Sequence, residues 1–408
     1  GDDVRVTLER IAADPATNNN GFARDHIDSV RVTGDRVVIG TPAPYAWFLA
    51  RIGHFFNTIP PRELLLGDLS RLTFQTAGAG PYRLVAVTEE DAAHFDRNPN
   101  YYRRDPDNGD EQLPYVDGLD VRIVLDRAAQ LTAFRSGQIH SYLTGSSAEA
   151  RSLDDAVIAR EPFFTYVSFT MNPNRAPFTD PRVRRAFSRA INRQQFVDIN
   201  YGGDAQADGL VQWSLGSYAL PPDELAALQP YDLEEARRLV REAGGIRVKM
   251  MYPVTPIVEH DQHVPIFAQQ MREAGIDLVL DPQDFATWLS NLKDIKYECT
   301  LNLNQIYETP ELPLNIHTTR GPFGDGTYLA GLGDPAIEQA VRAASAALDA
   351  DARIEAVREA QRVIYAREPI SLPLVTPYQH VAWRKNVKNI PTGIGTSSFL
   401  VNTFWMDV

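Results

Sequence analysis

Polar side chains follow one strand-like run in the second half of the chain, and they are the strongest candidates for contact with a ligand. These candidates are Asn302, Asn304, Gln305, Tyr307 and Glu308. Amide, phenol and carboxylate groups at a strand end can hydrogen-bond a polar ligand in a cleft. A solvated loop explains the same residues equally well. Trp213 could add a flat ring face for a ligand, although a core tryptophan is the favoured interpretation.

Histidines give the only hint of a metal site. His260 and His263 lie three positions apart at a predicted helix start, where two imidazoles on one helix face could bind a metal. His140 is the only other histidine that hints at metal binding. A polar helix entry on the surface is the favoured interpretation, because no third ligand lies nearby. We expect no metal and no cofactor.

Motifs for enzymatic chemistry are missing from the sequence. The stretches 78–80 and 393–395 lack the third glycine of a dinucleotide-binding loop, and no Gly-x-Ser-x-Gly motif supplies a hydrolase nucleophile. The single cysteine, Cys299, lies in a strand-like run, where a buried structural thiol is favoured over a nucleophile. We predict that the protein is not an enzyme.

Length and charge narrow the function further. The chain has 408 residues, which suggests two or three domains, and a formal net charge of −13, which disfavours a nucleic-acid-binding surface. No window approaches about 18 uninterrupted apolar residues, so the sequence predicts no membrane-spanning helix.

The elements that must position the polar residues have a mixed α/β pattern. Strand patterns at 246–253 and 276–280 flank a helix at 262–274, and this order predicts a parallel strand–helix–strand unit. Asp180, Asp232 and Asp334 each precede a helical pattern in the position of an N-terminal cap.

Several segments, in order, resemble the family 5 extracellular solute-binding proteins, which are the oligopeptide-, dipeptide- and nickel-type receptors of ABC importers. The most specific segment runs from Met171 to Ala186 and continues through Ala190-Ile191-Asn192-Arg193. Supporting segments are Gly78-Ala79-Gly80-Pro81-Tyr82, Arg97-Asn98-Pro99-Asn100-Tyr101-Tyr102, Leu113-Pro114-Tyr115-Val116-Asp117 and the helix end 133–140. The resemblance runs along the whole chain.

The resemblance implies a two-lobed periplasmic-binding-protein-like α/β fold of the large type. Residues 1–72 would be a remnant of the small subdomain of lobe I, residues 73–170 and 376–408 its main sheet, and residues 171–375 lobe II. The chain would cross between lobes near Asn172 and Pro377, which makes both hinge candidates. The family's opening strands have no counterpart here, so we expect lobe I to be incomplete at its N-terminus.

The implied function is capture of an oligopeptide or related small polar solute in an interlobe cleft and delivery to an ABC permease. We expect an extracytoplasmic monomer at the periplasm or cell surface, attached to a membrane only through a lipid anchor outside this chain. A receptor for a sugar or a metal chelate, and a peptide-holding chaperone or sensor, are the alternatives.

One departure from the family concerns the second lobe. Its members carry a Trp-x-Ala-Asp-Tyr-x-Asp-Pro-like stretch whose first aspartate neutralises the amino terminus of a peptide ligand. Aligned on Tyr307 and Pro310, the present chain has Leu303 at the tryptophan and Ile306 at the aspartate. A buried ammonium without a partner costs several kcal/mol. Either Glu308 substitutes for the aspartate, which requires a shift of the backbone, or the ligand is uncharged at this position, for example a sugar or another nutrient.

Overall fold

The structure, a computed structural model, describes residues 1–17, 19–54, 57–67, 78–144, 146–163, 165–254, 262–305, 309–321, 331–390 and 403–407. Contacts divide the chain into two units. Unit 1 comprises residues 1–58 and 165–377, and unit 2 comprises residues 59–164 and 378–408.

The helices of the described residues are α1 (Asp2–Ala13), α2 (Asn20–His26), α3 (Phe48–Ile52), α4 (Arg62–Leu65), α5 (Arg127–Arg135), α6 (Ser147–Arg151), α7 (Pro181–Ala190), α8 (Arg193–Tyr201), α9 (Pro222–Leu228), α10 (Leu233–Glu242), α11 (His263–Glu273), α12 (Phe285–Lys293), α13 (Glu311–Asn315), α14 (Pro335–Ala346) and α15 (Ala350–Tyr365). A short 3-10 helix spans Trp213–Tyr218.

The strands are β1 (Ser29–Thr33), β2 (Arg36–Gly40), β3 (Tyr82–Thr88), β4 (Ala92–Arg97), β5 (Arg104–Asp105), β6 (Glu111–Gln112), β7 (Gly118–Arg122), β8 (Ser141–Leu143), β9 (Ala156–Pro162), β10 (Thr165–Met171), β11 (Ala205–Ala207), β12 (Ile246–Val254), β13 (Ile276–Asp284), β14 (Cys299–Gln305), β15 (Ser371–Arg384), β16 (Val387–Lys388) and β17 (Trp405–Met406).

Unit 1 is built on a sheet with the strand order β11-β15-β10-β14-β12-β13. Successive side chains of a strand point to opposite faces. Along β10, Val167, Phe169 and Met171 therefore enter the apolar core, whereas Ser168 and Thr170 lie on the other face. All seven residues of β10 are buried, so both faces of the sheet are covered at this strand.

The predicted strand–helix–strand unit is confirmed. Strands β12 and β13 pair in parallel, with Ile246 opposite Ile276, and α11 connects them. The buried thiol is also confirmed, because Cys299 has no exposed surface and its Sγ lies 3.5 Å from the carbonyl oxygen of Lys249. Burial raises the pKa of this thiol well above its usual value.

Aspartate caps begin the helices where the sequence predicted them. The carboxylates of Asp180, Asp232 and Asp334 accept backbone N–H groups of their first helical turns at 2.8–2.9 Å. Each cap satisfies a donor that the helix cannot pair internally.

Unit 2 contains a three-stranded antiparallel sheet with the order β3-β4-β7. Strands β8 and β9 pair with residues 378–384 at the end of β15. One apolar cluster of this unit is centred on Val381, Trp383 and Phe404.

The two units differ from the predicted lobes in two respects. Residues 1–58 belong to the same unit as 165–377, whereas they were predicted as part of lobe I, and the unit boundaries lie at 58/59, 164/165 and 377/378. Lobes are defined by movement, and the units by contacts. The assignment of 1–72, 73–170, 171–375 and 376–408 to two lobes therefore stays a prediction.

Within the described part of the chain, no helix is long and apolar enough to cross a membrane.

Stability of unit 1 should depend on its packed phenylalanines. The ring of Phe267 lies 4.7 Å from that of Phe169, and both are fully buried. We expect Phe267→Ala to lower the free energy of unfolding by about 3–5 kcal/mol, since it leaves a cavity. Urea unfolding measures the change, and Leu348→Ala, at a side chain that is 63% exposed, is the control. Equal effects of the two substitutions would contradict this core assignment.

Candidate functional site

The polar face of the central sheet holds two of the predicted ligand contacts. The Asn302 amide donates to the Thr170 hydroxyl at 3.3 Å and accepts from the Thr300 hydroxyl at 3.0 Å. The Asn304 amide donates to the Ser168 hydroxyl at 2.5 Å. Asn302 is 1% exposed, so a solvated loop does not describe it. Both side chains are bonded within the sheet, and their contact with a ligand stays a prediction.

The rest of that predicted stretch is only partly described. Gln305 ends β14, and its side chain lies outside the described residues. Tyr307 and Glu308 lie outside them altogether, as does His260. The structure therefore describes no contact of these side chains.

Trp213 begins the 3-10 helix, and its backbone N–H donates to the carboxylate of Asp208 at 3.0 Å. Asp208 is fully buried and also accepts from the hydroxyl of Thr376. Thr376 precedes Pro377, which pairs with Ala205 of β11 and is the last residue of unit 1 before the chain enters unit 2. Asp208 thus fixes the end of unit 1's segment of β15.

The other hinge candidate, Asn172, lies inside unit 1. Its amide donates to the carbonyl oxygen of Tyr297 at 3.0 Å and accepts from the N–H of Asn174 at 3.1 Å. The hinge roles of Asn172 and Pro377 stay predictions.

His263 is buried, contrary to the favoured surface interpretation. Its Nε2 lies 2.7 Å from the hydroxyl oxygen of Tyr201, on the neighbouring helix α8. The apolar neighbours of α11 explain the difference, because His263 lies four positions before the buried Phe267 and therefore shares the core face of the helix. Among the described residues, no group of three histidine, cysteine, aspartate or glutamate side chains could hold a metal ion.

A cavity of about 110 Å³ lies within unit 1, between the segment that contains α2 and α3 and the segment that contains α13 and α14. Its wall contains several ionisable side chains: His26, Tyr45, Arg51, Glu311, Arg320, Glu338 and Arg342. The Tyr45 hydroxyl donates to the carboxylate of Glu311. Burial raises the pKa of both groups.

The Tyr45 ring also carries a stacked histidine. The rings of His26 and Tyr45 lie 3.8 Å apart and nearly parallel. Burial, with a contribution from the Arg51 charge, lowers the pKa of His26 to about 4, so its imidazole is neutral at pH 7. This wall of the cavity is therefore flat and uncharged.

Sequence reasoning missed Tyr45, Arg51 and Glu311. Glu311 directly follows Pro310, three residues beyond the last predicted contact, and extending the strand-end argument would have reached it. Tyr45 lies 266 positions before Glu311 and carries no local signal for this contact.

Comparison with protein families identifies the family to which the chain belongs. The model of the bacterial extracellular solute-binding proteins, family 5 (its middle section), matches residues 2–323. The chain belongs to this family. Membership confirms the predicted resemblance and the prediction of a non-enzymatic binding protein.

Relatives and solved structures agree with the family match. Protein XP55 of Streptomyces lividans is 28% identical over 88% of this chain and 67% of its own length. Di/tripeptide-binding protein 2 of Pseudomonas aeruginosa is 24% identical over 84% of this chain. The chain spans 65% of the length of that second relative, and less than half of some others.

The solved structure of the periplasmic binding protein DppA from Helicobacter pylori, in complex with the peptide STSA, matches with a TM-score of 0.79. The match covers 100% of this chain and 82% of that chain at 19% identity. It confirms the predicted mixed α/β fold of the periplasmic-binding-protein type.

The buried carboxyl of Asp208 should make the stability of this solute-binding protein depend on pH. Burial raises the pKa of Asp208 from 3.8 to about 7. Between pH 4 and 7 the folded state therefore holds a proton that the unfolded state has lost, and stability falls as pH rises through this window, by up to about 4 kcal/mol.

We expect Asp208→Asn to remove this fall, because an amide does not titrate. Urea unfolding at intervals from pH 4 to 8 measures it. Asp223→Asn, at an exposed residue of α9, is the matched control and should keep the wild-type slope. A wild-type slope in Asp208→Asn would show that this carboxyl does not titrate as described.

Proposed function

We propose that this protein is an extracytoplasmic receptor that captures a short peptide or a related small polar solute for an ABC permease. The observation that carries the proposal is the cavity of unit 1, whose wall holds buried charged side chains in a chain of a solute-binding family. Burial excludes water and strengthens each polar contact with a bound solute.

The cavity suits a polar solute better than an apolar one. Arg51 and Glu311 are both buried, and buried charges are costly unless other groups compensate them. A solute with complementary charges or hydrogen-bonding groups would supply part of that compensation. An apolar solute would supply no such compensation to the charges of Arg51 and Glu311.

The predicted contacts Tyr307 and Glu308 would extend this site, because they precede Glu311 by only a few residues. The same proposal includes four further predicted ligand contacts: Trp213, Asn302, Asn304 and Gln305. The family aspartate that neutralises a peptide amino terminus is replaced by Ile306 in this chain. In this proposal the carboxylate of Glu308 or Glu311 takes over that role.

Capture also implies partners and a location. The receptor would deliver its solute to the permease subunits of an importer, at the periplasm or cell surface. Family members are described as extracellular, and the Pseudomonas aeruginosa relative is described as a di/tripeptide-binding protein. We extend both properties to this chain as part of the proposal.

Ligand binding should raise the unfolding temperature. We would strip co-purified solute by unfolding and refolding the protein, and then measure thermal unfolding with a panel of di- and tripeptides. A ligand at 100 times its dissociation constant adds about 2.7 kcal/mol to the free energy of unfolding. Mass spectrometry of the solute released before refolding identifies the natural ligand. Absence of any stabilising solute, or turnover of an added ester or peptide, would contradict a receptor function.

Substitutions at the strand end should separate binding from folding. We expect Tyr307→Ala and Glu308→Ala to weaken solute binding about tenfold, as loss of about 1.4 kcal/mol implies, without a change in the unfolding temperature of the free protein. Calorimetric titration measures affinity, and Glu234→Ala, at an exposed residue of α10, is the control. Unchanged affinity in both variants would remove these residues from the site.

A further inference from the structure

In the described part of the chain, Glu311 is a buried carboxyl that forms no ion pair. It is 7% exposed, and its hydrogen bonds come from the neutral side chains of Tyr45 and Asn315. Among the described residues, no lysine, arginine or histidine nitrogen lies within the 4.0 Å of an ion pair with it. Burial raises the pKa of Glu311, because it penalises the charged form of the carboxyl.

Arg51 is a buried guanidinium that forms no ion pair with any described residue. It is 5% exposed, and its Nη2 donates to the amide oxygen of Asn19 at 2.7 Å. Within the described part of the chain, its Nε has no hydrogen-bond partner and no carboxylate forms an ion pair with it. The guanidinium carbon lies 5.4 Å from the centroid of the Phe22 ring, which adds a cation–π contact but no negative charge.

These two opposite charges line one cavity without contacting each other. The charge of Arg51 still acts on Glu311, since it opposes the rise in the pKa of the carboxyl. The two groups are too far apart for an ion pair, and both are buried, so each charge is incompletely compensated.

The other charged side chains of the cavity are already engaged. Arg320 forms an ion pair with Asp25. Glu338 accepts the backbone N–H of Thr319 at 2.7 Å and its hydroxyl at 2.9 Å, and lies 3.8 Å from Arg342. Among the described residues, Arg51 and Glu311 are thus the two charged side chains of the cavity wall that have hydrogen bonds but no ion-pair partner.

Size limits the ligand group that fits. A water molecule needs about 10–15 Å³ of such space, so a cavity of 110 Å³ holds several waters or one small head group. Pockets for drug-sized ligands start at about 300 Å³. In an extended peptide each added residue moves the charged termini about 3.3–3.6 Å further apart. In a free amino acid both charges are attached to one carbon.

We propose that this cavity binds the head group of a free α-amino acid, with the ammonium group at Glu311 and the carboxylate at Arg51. The proposal rests on the receptor function and narrows its solute from peptides to compounds that carry both charges on one carbon. The flat face of the His26–Tyr45 stack would contact the neutral part of the head group.

The experiment uses the whole chain, freed of solute by unfolding and refolding. Thermal unfolding with the common amino acids, one at a time, selects the amino acid that stabilises most. Calorimetric titration then compares that amino acid with its N-acetyl derivative, which keeps only the carboxylate, its amide, which keeps only the ammonium, and its tripeptide. We expect the free amino acid to bind at least about tenfold more tightly than each of the three.

Variants assign each charge to its partner. Glu311→Gln should abolish the preference over the N-acetyl derivative, and Arg51→Gln should abolish the preference over the amide. Arg238→Gln and Glu242→Gln are matched controls, because this exposed ion pair of α10 contributes nothing to the cavity wall and should leave both preferences unchanged. If a glutamine variant fails to fold, the order of the wild-type protein's affinities for the four ligands tests the proposal instead. Glu311→Asp and Arg51→Lys then serve as variants that preserve the charge.

The outcomes separate the two proposals. Tight binding of the tripeptide, with no effect of Glu311→Gln or Arg51→Gln, would overturn the amino-acid site and leave the receptor function intact. Equal affinities for the free amino acid and its blocked derivatives would overturn it as well. Binding of no amino acid, peptide or derivative would overturn both.

Discussion

Strand β10 of the central sheet of unit 1 is buried on both faces, with apolar side chains on one face and hydroxyl groups on the other, and this constraint organises the packing around it. Phe169 and its neighbours on β10 need apolar partners, which α7 and α11 supply. Thr170 and Ser168 need hydrogen bonds instead, because an unpaired buried hydroxyl costs free energy. Asn302 and Asn304 of β14 meet that need from diagonal positions of the strand pair: Asn302 lies opposite Ser168 but donates to Thr170, and Asn304 donates to Ser168. A sheet of this kind can hold polar groups in a dry environment, which a solute-binding protein requires.

Much of the fold was predictable because it depends on local patterns. Helix caps at Asp180 and Asp232, the parallel pair β12 and β13, and the burial of Cys299 follow from spacing and residue type. The family assignment was predictable for a different reason, since the 171–186 segment is long and specific. His263 shows the limit of local reasoning: its hydroxyl partner, Tyr201, lies 62 positions away and cannot be read from the helix start.

The candidate site was much less predictable, because its contacts join distant parts of the chain. The polar run after β14 indicated the correct region, yet the side chains Asn302 and Asn304 bond within the sheet. The charged pair of the cavity is formed by Arg51 from α3 and Glu311 from α13. Neither residue stands out by type or spacing, and only the folded chain shows that, among the described residues, both are buried without an ion-pair partner. Sites built from single residues of separate segments leave no periodic signal in a sequence.

The bond between Tyr45 and Glu311 also has a consequence for biosynthesis. The two residues are separated by 266 positions, and a ribosome adds about 5–20 residues per second. The first half of the cavity wall is therefore made roughly 15–50 s before the second half exists. During that interval α2 and α3 have neither α13 nor α14 to cover them, so Phe22 and Arg51 are exposed on the nascent chain. Holding factors that bind emerging apolar segments would have their longest opportunity at this region.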